Sequence, residues 1–330
     1  MVKYIIRRVL LLIPVILGVI IVVFTINYFN DSSPAYTILG ASATPELVAE
    51  VEAELGLDRP YLVQLSEYLI NIVTKGDFGV SYNYNIPCMQ LILERLPVTM
   101  FIGVMGVLVS VIIGIPMGII AAWKQNSVFD YGATILSTVI SALPSFWVAL
   151  MLILFFSVNL GVLPVSGVAT WKGFVLPILA GSLPSIAMFT RMTRTSILEV
   201  IRQDYVRTAR SKGLSERKII THHVIRNGLI PVATVVGMIT ALCMTGSMIS
   251  ERIFNIPGLG LLLYNAIVTN DYIMVQSGAT VTAIIICVMN LITDVTYAFI
   301  DPRIKSQYVA SSRKRRIRKA QTAAEGGGAS

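Results

Sequence analysis

Six stretches of the 330-residue chain, at 9–28, 97–123, 131–157, 173–190, 227–250 and 277–300, are almost free of charge, with Asp294 the one acidic or basic residue inside them. Each is close to the ~20 apolar residues that a helix needs to cross a hydrocarbon core about 30 Å thick. Backbone polar groups in lipid must be satisfied internally, and runs of this length do so as helices. Hydrophobic residues make up 55% of the chain and charged ones 13%, against roughly 25% charged in soluble domains. These features predict an all-α membrane protein with six transmembrane helices. The fourth run contains Pro177 and Pro184, which a bundle tolerates when neighbours satisfy the freed carbonyls.

Orientation follows from the basic residues. With six spans, 21 of the 26 Lys and Arg fall on one side, which the positive-inside rule makes the cytoplasm, together with both termini. The basic start also fits a secretory signal. Its apolar run, however, is longer than the usual ~7–15 residues and lacks a small-x-small site, so residues 1–30 are read as a cytoplasmic end and a retained first helix.

Residues 31–96 then form an external helical insertion between helices 1 and 2, with nine acidic and three basic residues. Within it, Thr44, Pro45 and Gly56 mark the N-cap, first position and stop of an amphipathic helix that sets Glu46, Glu50 and Glu54 on one face. A second helix precedes Lys75-Gly76-Asp77. Such an insertion is either a docking rim or a solvated spacer. Residues 97–300 form the core domain, interrupted by a cytoplasmic loop at 199–226. A further external segment, 251–276, turns at Pro257-Gly258 and predicts a short re-entrant or surface helix over the outer mouth. The basic tail, 301–330, contains RKRRIRK. It suits orientation and anionic lipid headgroups and lacks the aromatics or surrounding fold of a nucleic-acid binder.

The residues argue against covalent chemistry. Cys88, Cys243 and Cys287 show no CxxC pairing, so neither a disulfide framework nor a zinc site is predicted. His222 and His223 are adjacent and point apart on a helix, which rules out a shared metal. HExxH and GxSxG are absent, so no catalytic residue is assigned, and without GxxxxGK[ST] the chain has no phosphate loop for ATP. Asp294, two turns from the end of the last helix, is read as structural, hydrated or paired with a neighbouring Arg. A translocation path is sought instead among the small polar groups and helix breaks of the middle spans: Ser141, Pro144, Ser145, Ser182, Pro184, Ser185 and Ser247.

One polar segment stands out, DYVRTARSKGLSERKIITHHVIRNGLIP at 204–231. Gly213 ends one helix, Ser215 caps the next, and Glu216 suits its positive end. The residues that follow mix Lys and Arg with Ile219, Ile220, Val224 and Ile225, predicting a short amphipathic helix parallel to the membrane that meets a soluble partner or the lipid surface.

This segment resembles the cytoplasmic loop of the binding-protein-dependent ABC importer permeases, in particular the oligopeptide/dipeptide (and nickel) branch. The resemblance covers nearly the whole chain, through YIIRRVLLLIPVILGVIIVVF, GDFGVSY, ERLPVTM, GIPMGIIAAW, LPSFWVALMLILFF, LGVLPVSG, ERIFNIPGLGLLLYNAIVTNDY and FIDPRI. Where the superfamily loop opens Glu-Ala-Ala, this chain has Arg207, Thr208 and Ala209, and it keeps the glycine at Gly213. The closing Leu-Pro corresponds to Ile230-Pro231, displaced as is typical of the peptide branch.

The resemblance implies a permease subunit of an ATP-driven importer in a bacterial or archaeal cytoplasmic membrane, carrying peptides or alternatively nickel or another small solute. The helix after Gly213 would be a coupling helix, with ATPase contacts at Arg207, Thr208, Ala209, Gly213, Leu214, Ser215, Glu216, Arg217 and Lys218. The implied partners are a second permease, two cytoplasmic ATPases that hold ATP and Mg, an extracytoplasmic solute-binding protein and membrane lipids. The chain itself holds no cofactor. An ion-coupled carrier or channel is the rival reading, and it requires mid-membrane ionisable residues that the six runs lack.

Overall fold

The computed structural model describes residues 2–30 and 33–300, and the basic tail lies outside them. The chain opens with α1 (Val2–Tyr28), followed by three shorter helices, α2 (Pro34–Leu39), α3 (Pro45–Glu54) and α4 (Tyr61–Lys75). α5 (Cys88–Trp123), α6 (Val128–Ala142), α7 (Ser145–Leu152) and α8 (Lys172–Ile201) come next, then α9 (Asp204–Ser211) and α10 (Glu216–Lys218). α11 (Ile225–Cys243), α12 (Met248–Ile253), α13 (Leu259–Val268) and α14 (Tyr272–Ile300) complete the described chain.

Among the described residues, five helices are long and apolar enough to cross a membrane, and a bent pair makes a sixth. That pair corrects the third expected span. α6 and the helix running from Ser145 to Asn159 meet at 104° instead of forming one straight rod. Pro144 is the cause. Leu143 before it is extended, with ψ 134°, because the proline ring disfavours helical backbone at the preceding residue. Pro177 and Pro184 leave α8 unbroken.

The other boundaries shift for local reasons. α5 begins at Cys88, before the expected 97, because Glu94 and Arg95 are good helix formers although they end the charge-free run. At 36 residues it extends about 54 Å. α8 runs past 190 to Ile201, so Arg191 and Arg194, which end the charge-free run, lie within the helix. α11 stops at Cys243, short of 250. Gly246, at φ +82°, turns the chain there, and the Ser247 hydroxyl caps α12 by accepting from the Ser250 N–H at 3.3 Å.

The bundle is organised around α5 and α8. Gly106, Ser110, Gly114, Gly118 and Ala122 recur every fourth residue and so form one stripe of small residues along α5. The Ser110 hydroxyl donates to the Ser182 carbonyl across the interface at 3.1 Å. A methyl group added at Gly118 would lie 2.6 Å from the Thr190 carbonyl and 2.6 Å from Thr193 Cβ. α6 is tied to α8 by charge. Buried Asp130 accepts from Arg194 through both oxygens, Oδ2 at 2.9 Å from Nη2. On the far side of α14, Arg8 Nη1 meets Asp294 Oδ2 at 2.7 Å, the kind of pairing expected for that aspartate.

The two helices predicted within residues 31–96 form as α3 and α4, and α2 precedes them. Thr44 caps α3 by accepting from the Leu47 N–H at 3.4 Å, and Gly76 ends α4 at φ +64°. Glu46, Glu50 and Glu54 are exposed. Tyr61 of α4 packs edge-on against Phe24 and Tyr28 of α1, with centroids 5.6 and 5.2 Å away. α13 is half-buried, its Leu259, Leu262 and Ala266 packed on Leu91 and Ile92 of α5 and Met274 of α14.

Close helix approach makes a sharp prediction. Gly118→Ala should destabilise the purified chain by about 1–3 kcal/mol through overpacking. Gly132→Ala, whose added carbon has no neighbour within 4 Å, should cost nothing. Thermal unfolding in detergent compares the two, and equal midpoints would contradict the backbone contact.

Candidate functional site

Two places combine polar groups with structural breaks, at opposite ends of the bundle. The first follows α8. Val206 and Ala209 of α9 are buried against Ile197 and Ala122, with Ile219 and Val224 in the same cluster. Arg207, Thr208 and Arg210 face outward. Gly213 turns the chain at φ +80° with open space where a side chain would stand, so its backbone conformation, not crowding, calls for glycine. Arg210 forks onto Glu216 across that turn, Nε to Oε1 at 2.6 Å and Nη2 to Oε2 at 3.3 Å.

The helix expected after Gly213 is not a separate surface element. From Glu216 the chain runs through a π-helical stretch, Ile219–Val224, directly into α11, making one helix of 28 residues. The separate amphipathic helix is α9, before Gly213. Ser215 occupies the cap position, but its hydroxyl makes no capping bond, and Glu216 bonds to Arg210 instead of the helix end. Of the nine loop residues singled out from sequence, Ala209 and Leu214 pack into the bundle. Arg207, Thr208, Gly213, Ser215, Glu216, Arg217 and Lys218 are exposed.

The second place is a cavity of about 320 Å³ walled by α5, α7, α8, the end of α11 and α12. Three of the seven expected path residues, Ser145, Pro184 and Ser247, line it. Pro144 stands at the α6–α7 bend just beside it. Ser141 accepts from Arg191 Nη1 at 2.8 Å on α6. Ser182 is fully buried at the α5–α8 interface, its carbonyl taken by Ser110, and Ser185, half-buried on α8, is also off the wall.

Sequence reasoning missed the most polar feature of this cavity. Glu251 is 3% exposed. Its Oε1 accepts from the Thr99 hydroxyl at 2.9 Å and its Oε2 from the Leu261 N–H at 2.9 Å. Thr99 in turn accepts from the Leu259 N–H at 2.8 Å. One carboxylate thus joins α5, α12 and the start of α13. Burial pushes its carboxyl above the ordinary range, opposed by the Leu261 and Thr99 hydrogen bonds. The available signal was a lone Glu seven residues before a Pro-Gly-leucine-glycine turn's first glycine, Gly258, which alone does not reveal burial.

Residues 114–306 match the pattern described as binding-protein-dependent transport system inner membrane component, and residues 1–103 match its N-terminal counterpart. The chain belongs to that family. As a binding-protein-dependent transport component it is an integral inner-membrane protein. Among its relatives, the dipeptide transport system permease protein DppB of Alkalihalophilus pseudofirmus is 40% identical over 92% of this chain and 100% of that protein. The oligopeptide transport system permease protein AppB of Bacillus subtilis is 36% identical, with the same two coverages. In three dimensions the chain is similar to an inward-facing form of the MetNI methionine ABC transporter, with a TM-score of 0.55 and 15% identity over 64% of this chain and 97% of that one. That likeness establishes a shared permease fold.

The Glu251 lock has a measurable requirement for space. An added carbon at Gly258 would lie 2.4 Å from Glu251 Oε2 and 2.6 Å from Thr99 Oγ1, whereas at Gly181, on the same cavity, it meets nothing within 4 Å. Gly258→Ala should lower thermal stability by at least about 1–3 kcal/mol, the cost of a disrupted buried hydrogen-bond set. Gly181→Ala should not, and unfolding midpoints of the two variants decide it.

Proposed function

We propose that this chain is a permease subunit of an ATP-driven ABC importer of peptides. The observation that carries the proposal is the alignment of 92% of the chain with the full length of dipeptide and oligopeptide transport permeases. In this reading a second permease completes the pathway, two ATPase subunits hold ATP and Mg, and a solute-binding protein delivers cargo. Nickel or another small solute is the alternative cargo.

The basic-residue distribution, 21 of 26 on one side, supports an orientation with both termini and α9 in the cytoplasm. It also supports an outward-facing position for the 31–96 insertion, where the exposed carboxylates of α3 form a rim for the binding protein. Charged rims of that kind set association rate and orientation more than affinity.

The loop geometry supports a coupling role. The exposed face of α9, with Arg207, and the exposed start of the next helix, with Arg217 and Lys218, are available to an ATPase. The buried face, Val206 and Ala209, is packed on the spanning helices. A push on α9 therefore moves packed side chains of α8 and α11 together. Coupling further requires that the ATPases bind the two access states with different affinity, since otherwise no population shifts.

An ATPase subunit should copurify with the tagged chain, and the assembled complex should take up dipeptides in proteoliposomes only with the binding protein present. Gly213→Pro should leave the chain inserted yet abolish binding-protein-stimulated ATP hydrolysis. Proline fixes φ near −65° and removes an N–H, here the one donated to the Arg210 carbonyl at 2.9 Å. Normal stimulation in that variant would reject the coupling assignment.

Orientation has its own check. In a background lacking Cys88, Cys243 and Cys287, an impermeant thiol reagent should label a cysteine placed at Ser66 from outside and leave one at Ser211 unlabelled. Labelling at Ser211 would invert the topology.

A further inference from the structure

The wall of the 320 Å³ cavity is built of small and apolar side chains, and Glu251 is the one charged residue among those that line it. No described Lys or Arg is in ion-pair contact with it. The ion pairs found are Arg8–Asp294, Arg59–Glu67, Arg194–Asp130 and Arg210–Glu216. Its sequence neighbour Arg252 turns away, with its guanidinium carbon 4.9 Å from the centroid of the Tyr264 ring.

A carboxylate withdrawn from water without a counter-charge is costly, and a cation arriving beside it regains much of that cost. The Thr99 hydroxyl donates to Oε1 and the Leu261 N–H to Oε2, and the Gly260 N–H also bonds the carboxylate, so three acceptor directions are used. A carboxylate offers about four such directions, so capacity remains for an ammonium donor. The cavity volume lies at the low end of the ~300–1,000 Å³ typical of ligand pockets, a scale suited to one end of a short peptide. The Thr99, Leu259 and Leu261 contacts hold the carboxylate in place, so little ordering is needed on binding.

The geometry points to Glu251 as a specificity-determining residue that receives the α-ammonium of a peptide in this cavity, with Ser145 and Ser247 lining the remainder. The inference rests on the peptide-importer reading and deepens it. An N-terminally acylated peptide, neutral at that end and bulkier, forms no such charged contact. The rest of the wall is tolerant of sequence: it offers apolar and hydroxyl groups and no second charge. Recognition through the common amino terminus accordingly leaves side chains free to vary.

Cys243 lines the same cavity and provides a reporter independent of transport. In the assembled complex, with Cys243 as the sole cysteine of this chain, alkylation by N-ethylmaleimide is followed against increasing alanyl-alanine or N-acetyl-alanyl-alanine. Alanyl-alanine should protect Cys243 at about a ten-fold lower concentration, the advantage of one charge-assisted contact. Glu251→Gln should erase that difference. Glutamine can still accept from Leu261, and it can reverse the Thr99 bond because a hydroxyl both donates and accepts.

The comparison of the two peptides needs no variant, so a poorly folded Glu251→Gln protein would not remove the test. Equal protection by both compounds, protection by neither, or a ten-fold preference that survives Glu251→Gln would each overturn the ammonium contact. Uptake of alanyl-alanine by the unmodified complex separately tests whether peptides are cargo. Uptake together with equal protection would reject the Glu251 contact and leave the importer reading standing.

Discussion

The backbone-to-backbone approach of α5 and α8 is the constraint on which the rest of the architecture depends. Lipid gives helices no hydrophobic reason to associate, so packing and interhelical hydrogen bonds must supply it, and small residues allow the closest packing. α5 meets this need with a small residue every fourth position, and the Ser110 hydroxyl reaches a carbonyl of α8 where the two helices touch. Gly114 and Gly118 leave no room for a side chain against α8, so the two backbones meet closely there. α6, α7 and α11 then take their places against this fixed pair.

Both candidate sites sit where that rigid pair ends. At one end α8 leads into α9, whose buried Val206 and Ala209 join the cluster containing Ala122 and Ile197. At the other, the first turns of α5 bring Thr99 to Glu251, and the first turns of α8 bring Pro177 and Pro184 to the cavity wall. α8 thus reaches from the α9 cluster to the cavity wall. The Pro144 break places α7 on the cavity wall, a departure from continuous helix that a membrane protein tolerates where the irregular backbone lines a cavity or is covered by protein. Polar contacts tie the remaining elements to this pair, with Asp130–Arg194 joining α6 to α8 and Glu251 joining α12 and α13 to α5.

Much of this was legible from residue order. Charge-free length located the five long apolar helices and the bent α6–α7 pair, because the cost of placing charge in lipid is large and local. Thr44-Pro45 and Gly76 fixed the ends of α3 and α4 because capping acts over a few residues. Gly213 marked its turn for the same reason. The errors share a cause as well. A charge-free window understates helices such as α5 and α8, whose ends are charged yet helical, and a proline signals a bend without telling whether the bundle will permit it. Pro177 and Pro184 are accommodated, whereas Pro144 redirects the chain by 104°.

The sequence by itself determined that the chain is a helical membrane protein, where its long apolar segments lie, where the short helices α3 and α4 begin and end, and which family it joins. Each of those follows from local composition or from motifs contiguous along the chain. Only the tertiary structure decided that Glu251 and Thr99, 152 residues apart, share a hydrogen bond on a cavity wall, that Ser182 is buried where α5 meets α8, and that α9 instead of the helix after Gly213 is the free-standing amphipathic element. Those facts depend on which side chains meet across the bundle. The meeting is set by the register of α5 on α8, a long-range steric fit that no short window of residues encodes.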